Sequence, residues 1–455
     1  MVRRAIGPKL RIVFNVVLAL IAIIGANSVY LAGVTFLQWW TTQTYEDLFY
    51  QWMFLVHIVL GTLVVVPFII FGAVHIRNTK DRKIRRTVMI GYVLFSACII
   101  VLVSGFLLLK VFVDLRSPTA RSAIYWLHVG GPVVAGWLYW MHRLVGPKMR
   151  LKQGFIWFGL AGATAVVMIV LQAQDPREWN VVGPKDGEQY YFPSLARTST
   201  GNFIDAETLD MNQYCLKCHK DSHSDWSKSA HRFSSFNNPA YLASVAETRE
   251  VSLKRDGNVQ GSRFCAGCHD PVPFFSGAFD DPKFDMLKHP TSQVGISCTV
   301  CHAITHVNSD RGNADYTIEE PIHYPFAKSD NAFLQWVNNQ MVKAKPSFHK
   351  KTFLKPLHKT AEFCGACHKV NLPFTLNHYK DWLRGQNHYD SWLLSGVSGH
   401  GARSFYYPEK AQVDCNGCHM PLQESDDFGA QYFDESGNLK IHNHLFPSAN
   451  SGLNW

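Results

Sequence analysis

The chain has 455 residues, a net charge of +9 and 47% hydrophobic side chains, too long for one ordinary domain. Much of the positive charge lies in short loops between apolar runs, which is a membrane-topology signal and not a nucleic-acid footprint. The chain carries no phosphate-cradling G-x-x-x-x-G-K and no dinucleotide fingerprint, so nucleotide chemistry and nucleic-acid partners are set aside.

Crossing ~30 Å of hydrocarbon takes roughly 20 apolar residues in a helix. Five runs qualify, near 12–37, 52–75, 88–112, 122–145 and 154–174. The first is too long for the apolar core of a cleaved signal peptide and reads as an anchor. Lys and Arg set the orientation. Arg3, Arg4, Lys9 and Arg11 precede the first run. Arg77, Lys80, Arg82, Lys83, Arg85 and Arg86 lie between the second and third, and Arg143, Lys148, Arg150 and Lys152 between the fourth and fifth. The other side has only Lys110, Arg116 and Arg121, with Glu46 and Asp47 in its first loop. The positive-inside rule then puts the N-terminus in the cytoplasm and everything after the fifth span on the outer side.

Four histidines sit in these runs: His57 and His75 on the second, His128 and His142 on the fourth. Ionisable residues inside a span are costly and mark function by default. At 100° per residue a spacing of 18 returns to one face of a helix, and a spacing of 14 misses it by about 40°. Both spans run outside to inside, so His57 and His128 form an outer pair and His75 and His142 an inner one. That is the ligand set for two stacked b haems. The two rises, ~27 Å and ~21 Å, differ by ~6 Å, which tilt and ligand reach must absorb. Gly61, Gly72, Gly130, Gly131 and Gly136 offer small surfaces for a porphyrin. The arrangement over residues 40–145 resembles the dihaem membrane cytochromes b that serve quinone-linked enzymes. Cys98, alone in the third run, reads as a core thiol.

Residues 175–210 are polar and rich in Pro and Gly, and read as a linker. Beyond them the sequence repeats one signature five times. Ten of the eleven cysteines form C-x-x-C-H: Cys215, Cys218 and His219; Cys265, Cys268 and His269; Cys298, Cys301 and His302; Cys364, Cys367 and His368; Cys415, Cys418 and His419. Two thioethers to the haem vinyl groups and one axial imidazole are what this spacing supplies. A disulfide framework or a zinc site would not put His after every second Cys. The repeats resemble the multihaem cytochromes c, which implies attachment outside the bacterial inner membrane, in agreement with the charge argument. No alternation suggests a large sheet, and helical pieces are expected near 327–343 and 375–385.

Each c haem needs a second ligand from the twelve histidines outside the spans and the motifs. Trp226-Ser-Lys-Ser-Ala-His231 resembles the W-x-x-S-x-H distal segment of the hydroxylamine-oxidation and related tetrahaem cytochromes. His306, four residues after His302, resembles their second histidine, which reaches a neighbouring iron. His358, His388 and His444 complete the expected set. The closing Cys415-Asn-Gly-Cys418-His419-Met420-Pro421 resembles that of cytochrome c nitrite reductases, but their C-x-x-C-K haem has no counterpart here.

The expectation is therefore a mainly α protein. A five-span transmembrane bundle (1–174) is followed by a linker (175–210) and a periplasmic pentahaem cytochrome c domain with little sheet (211–455). Five covalent c haems and two b haems would carry electrons between quinone, menaquinone for example, and a periplasmic donor or acceptor. Two rival readings stand beside it. One is a catalytic multihaem oxidoreductase acting on a small nitrogen or sulfur compound. The other is an electron-transfer subunit of a larger respiratory complex.

Overall fold

The computed structural model describes residues 4–42, 44–111, 117–145, 151–174, 183–402 and 411–448. The chain forms two compact units, Met1–Trp179 with Ile322–His349, and Asn180–Pro321 with Lys350–Trp455.

The first unit is built on five helices: α1 (Pro8–Thr41), α2 (Leu48–Thr79), α3 (Arg85–Leu108), α4 (Pro118–Leu144) and α5 (Leu151–Gln172). Their starts follow from local chemistry. Pro8 and Pro118 occupy first-turn positions where no amide hydrogen is needed. The Asp47 carboxylate accepts the Tyr50 amide at 2.8 Å and so caps α2. Helices α3 and α4 pack together, as do α1 and α2, and α1 and α5.

Among the described residues four helices are long and apolar enough to cross a membrane: Pro8–Thr41, Leu48–Thr79, Arg85–Leu108 and Lys152–Gln172. Of the five spans expected, the remaining one is α4, a 27-residue helix about 40 Å long. It carries Arg121, His128, His142 and Arg143, which make it less apolar than the rest. Burial in this unit is inverted relative to a water-soluble core. Val29, Val133, Phe155 and Phe158 point outward, whereas Asn27, Gln51 and Ser104 are at most 2% exposed.

Residues 322–349, expected to belong with the C-x-x-C-H repeats, pack instead on the start of α2. Tyr324, Met341 and Phe348 form an apolar cluster with Phe54, Leu55 and Ile58. The helix Ala332–Ala344 answers to the piece expected near 327–343. Just beyond it, Lys345 pairs with Glu46 at 2.5 Å and contacts the Tyr50 hydroxyl, while Arg121 donates to the Ala344 carbonyl at 2.6 Å. Glu46 is nearly buried, so this ion pair fixes the segment in one register.

The second unit is held by a core of Tyr191, Leu209, Val272, Phe274, Phe275, Phe279, Tyr316 and Ile318. The linker expectation needs correcting here. From residue 183 to 210 the chain is folded into this unit, with Tyr191 and Leu209 at 0% exposure. Its prolines and glycines mark turns between short elements rather than a flexible tether. Sheet is sparse, as expected. Strands β1 (Arg197–Thr198), β2 (Ile304–Val307) and β3 (Tyr316–Ile318) form one sheet in the order β1-β3-β2. Strand β4 (Lys369–Leu372) pairs antiparallel with β5 (Leu383–Asn387), and β6 (Leu422–Glu424) with β7 (Lys440–His442). The helical piece expected over 375–385 is therefore corrected: only Phe374–Asn377 is helical, 378–382 form a connection, and from Leu383 the chain pairs with β4 as a strand.

Candidate haem centres

Two histidine pairs form inside the first unit. The rings of His57 and His128 have centroids 6.1 Å apart and lie at 87° to each other. Those of His75 and His142 are 6.3 Å apart at 76°. A metal–imidazole nitrogen bond is about 2.0 Å and the ring centre lies about 1.1 Å beyond it, so two imidazoles on opposite sides of one metal stand about 6.2 Å apart. Both pairs fit a bis-histidine haem. The ~6 Å difference in helical rise does not separate either pair. Pro67 and Pro132 each lie between the two histidines of their helix and interrupt its hydrogen-bond ladder, which lets the axes bend.

Each of these four rings is oriented through Nδ1. His57 donates to Asn27 Oδ1 at 3.2 Å, His128 to the Val101 carbonyl at 3.0 Å, His75 to that of Ala5 at 3.3 Å and His142 to that of Thr87 at 3.1 Å. With Nδ1 so engaged, Nε2 is the nitrogen left for iron. Ser28 and Ser104 add hydroxyls beside His57 and His128. None of these supporting residues is readable from the sequence by a motif. The buried polar positions Asn27 and Ser104, inside otherwise apolar runs, are the signal that was there to be used.

The glycines divide differently from expectation. A Cβ on Gly72 would strike the Phe95 ring and one on Gly131 the Val101 methyl, so these two serve helix packing. A Cβ on Gly61 would lie 3.7 Å from Ile24 Cδ1, an ordinary contact, and Gly130 and Gly136 have open space beside them. The glycines that make room for the histidines are on α3. A Cβ on Gly105 would lie 2.9 Å from His128 Cε1, and one on Gly91 3.1 Å from His142 Cε1. Their spacing of 14 matches that of His128 and His142. If the His57–His128 pair holds a haem, Gly105→Val should displace His128 and remove or convert that haem's low-spin signal while leaving any signal from the His75–His142 pair. Low-temperature optical and EPR spectra of the variant check this.

In the second unit the C-x-x-C-H motifs sit on short helical turns, within Asn212–Leu216 and just after it, Arg263–His269, Cys298–Ala303, Ala361–His368 and Asn416–His419 with Cys415 before it. Positions i, i+3 and i+4 share one helix face, so one turn presents both sulfurs and the imidazole to one ligand. His219 and His419 each donate their amide to the carbonyl of the motif's first cysteine, at 2.9 and 3.0 Å. The Nδ1 of His269, His302 and His419 is taken by the carbonyls of Ser234, Phe353 and Pro447 at 2.9, 2.7 and 2.9 Å. None of the described cysteines forms a disulfide.

The motifs are neighbours in a defined order. The thiol of Cys215 lies beside that of Cys298, Cys367 beside Cys268, and Cys364 beside Cys415. Cys301 lies close enough to Cys367 to feel its charge, and burial pushes its thiol up to about 12. The first motif thus adjoins the third, the third the fourth, and the fourth both the second and the fifth.

Among the expected distal histidines, His231 and His388 each stand 6.1 Å from His368. His444 stands 6.5 Å and His358 5.1 Å from His302. Two candidates thus converge on each of two motif histidines. The bis-imidazole distance is met by His231, His388 and His444 and is undershot by His358. Burial, with neighbouring histidines, pushes His231 and His302 down to about 3, which keeps both rings in the neutral form that binds metal. His306 is exposed on β2, paired in register with Thr317, because the chain turns to strand directly after the motif. The ring packed on His269 is that of Tyr241, 4.6 Å away and nearly parallel.

Residues 214–303 match the family described as Cytochrome c554 and c-prime. No curated protein and no solved structure matches the chain. The matched stretch contains the first three motifs and implies covalent haem c. Together with the four apolar helices, it supports a membrane-associated cytochrome c that transfers electrons.

Proposed function

We propose that the protein is a seven-haem conduit between the quinone pool and a redox partner in the bacterial periplasm. The first unit would be a five-span bundle with its N-terminus in the cytoplasm. His57 with His128 and His75 with His142 would hold two b haems, and the five C-x-x-C-H motifs five c haems. Bound haem supplies one-electron Fe(III)/Fe(II) chemistry. The chain's part is to orient each imidazole through Nδ1, to keep it neutral, and to set the order of neighbours from the first motif to the fifth. The observation that carries this reading is the pair of 6.1 and 6.3 Å histidine contacts inside an apolar helical unit.

The test is reduction of the purified full chain by a menaquinol analogue, followed at the separate b and c absorption bands. Reduction of b before c supports the conduit. Reduction of c haem with no response at the b bands contradicts it.

A second reading has one observation in its favour. Among the described residues no histidine ring pairs with His269, as none pairs with His419, and Tyr241 stacks on the flank of the His269 ring. A haem at the second motif with an open face would bind a small nitrogen or sulfur compound, making the protein an oxidoreductase in its own right. A high-spin ferric EPR signal that shifts on adding nitrite or sulfite would favour this reading, and purely low-spin iron would refute it. Membership of a larger respiratory complex is decided by co-purification of other chains.

A further inference from the structure

A cavity of about 350 Å³ lies among α1, α2 and α5, in the half of the helical unit that contains His57. Its wall includes Met53, Val56, Met168 and Leu171 and is apolar except for Asn27 and Thr164. Asn27 is the residue that orients His57, so one wall of the cavity is also the support of the outer histidine pair. Its amide donates to the Met53 carbonyl at 3.1 Å, which keeps that side chain fixed.

Beyond one end the surroundings turn polar. Tyr30 is one helical turn past Asn27 on α1, and Gln172 one turn past Met168 on α5. The Tyr30 hydroxyl donates to the Gln172 carbonyl oxygen, and the Gln172 amide donates to Asp47, a half-buried carboxylate at the start of α2. An open apolar pocket of ligand size, with polar groups just beyond one end, suits a flat ring bearing oxygen and a long apolar tail.

We propose that this cavity is the quinol site, an assignment that rests on the quinone-linked reading above. The ring would lie beside Asn27, with one oxygen toward Tyr30 and the tail toward lipid. Oxidation there breaks the two O–H bonds of the quinol. Its two protons would go to water at the Asp47 end, and a haem held by His57 and His128 would supply the Fe(III) that accepts the two electrons one at a time. The product is the quinone.

The test uses the full chain in lipid nanodiscs with a fluorescent alkyl hydroxyquinoline N-oxide as the bound probe. Ala163→Phe and Leu171→Trp fill the cavity at two levels and touch none of the histidines. Each should weaken probe binding at least about tenfold, about 1.4 kcal/mol, with haem content and b-band spectra unchanged. In the unaltered protein, an azido-quinone should label peptides of α1 or α5. Normal probe binding in both variants, or labelling confined to other helices, overturns the site while leaving the conduit intact. If the unaltered protein neither binds the probe nor is reduced by menaquinol analogue, the conduit itself fails and the site with it.

Discussion

His57→Ala and His128→Ala should remove the same b haem, halving the extractable haem and leaving the other b signal in place. His75→Ala and His142→Ala should remove the other. The expectation rests on ring separations of 6.1 and 6.3 Å across α2 and α4, not on shared position along one helix. Losing one ligand leaves an iron that its remaining imidazole alone must hold in a noncovalent site. The near-perpendicular ring planes, 87° and 76°, add a spectral signature. Such crossed imidazoles leave two iron d orbitals close in energy, so both haems should give strongly anisotropic low-spin EPR signals. If His57→Ala and His75→Ala abolish one common haem, the pairing is wrong.

The second large effect distinguishes the two pairs. A protein that only passed electrons from an outer quinol to the periplasm would need the His57–His128 site alone. An inner site has a use if electrons move through the hydrocarbon, and that movement is energetically consequential, about 2.3 kcal/mol per charge for 100 mV. With the quinol site beside His57, the inner site lies off the path to the c haems, so His75→Ala should leave their reduction by menaquinol within about twofold of the unaltered rate in stopped flow, while His57→Ala should slow it by an order of magnitude or more. Comparable slowing in His75→Ala would show that electrons cross the hydrocarbon and would contradict a quinol site beside His57.

Much of the candidate site was legible because its chemistry is local. C-x-x-C-H places two thioether-forming thiols and one axial imidazole on one turn, and that geometry needs no tertiary partner. The four span histidines were legible for a related reason: helical rise and a shared direction fix their heights, and the pairs follow. What escaped depends on contacts between distant segments. Asn27 lies 30 residues before the ring it orients, and Gly91 and Gly105 act on histidines of the next helix, so their roles exist only once α1 and α3 are packed. Residues 322–349 look like any polar stretch between two motifs, and nothing short of the Lys345–Glu46 pair reveals that they dock on the start of α2. The distal histidines were partly legible. His231 stands beside His368 and His444 beside His302, contacts that no local signal announces, whereas His306 is carried outward by β2 where it pairs with β3.

The central claim is that one chain holds two kinds of haem, five attached through C-x-x-C-H and two held by histidine pairs between helices. Acid–acetone extraction of the purified protein, followed by pyridine haemochrome assay of the supernatant and the pellet, measures this directly. The account predicts two extractable haems for every five that stay with the polypeptide. A preparation with full covalent haem and no extractable haem would contradict it.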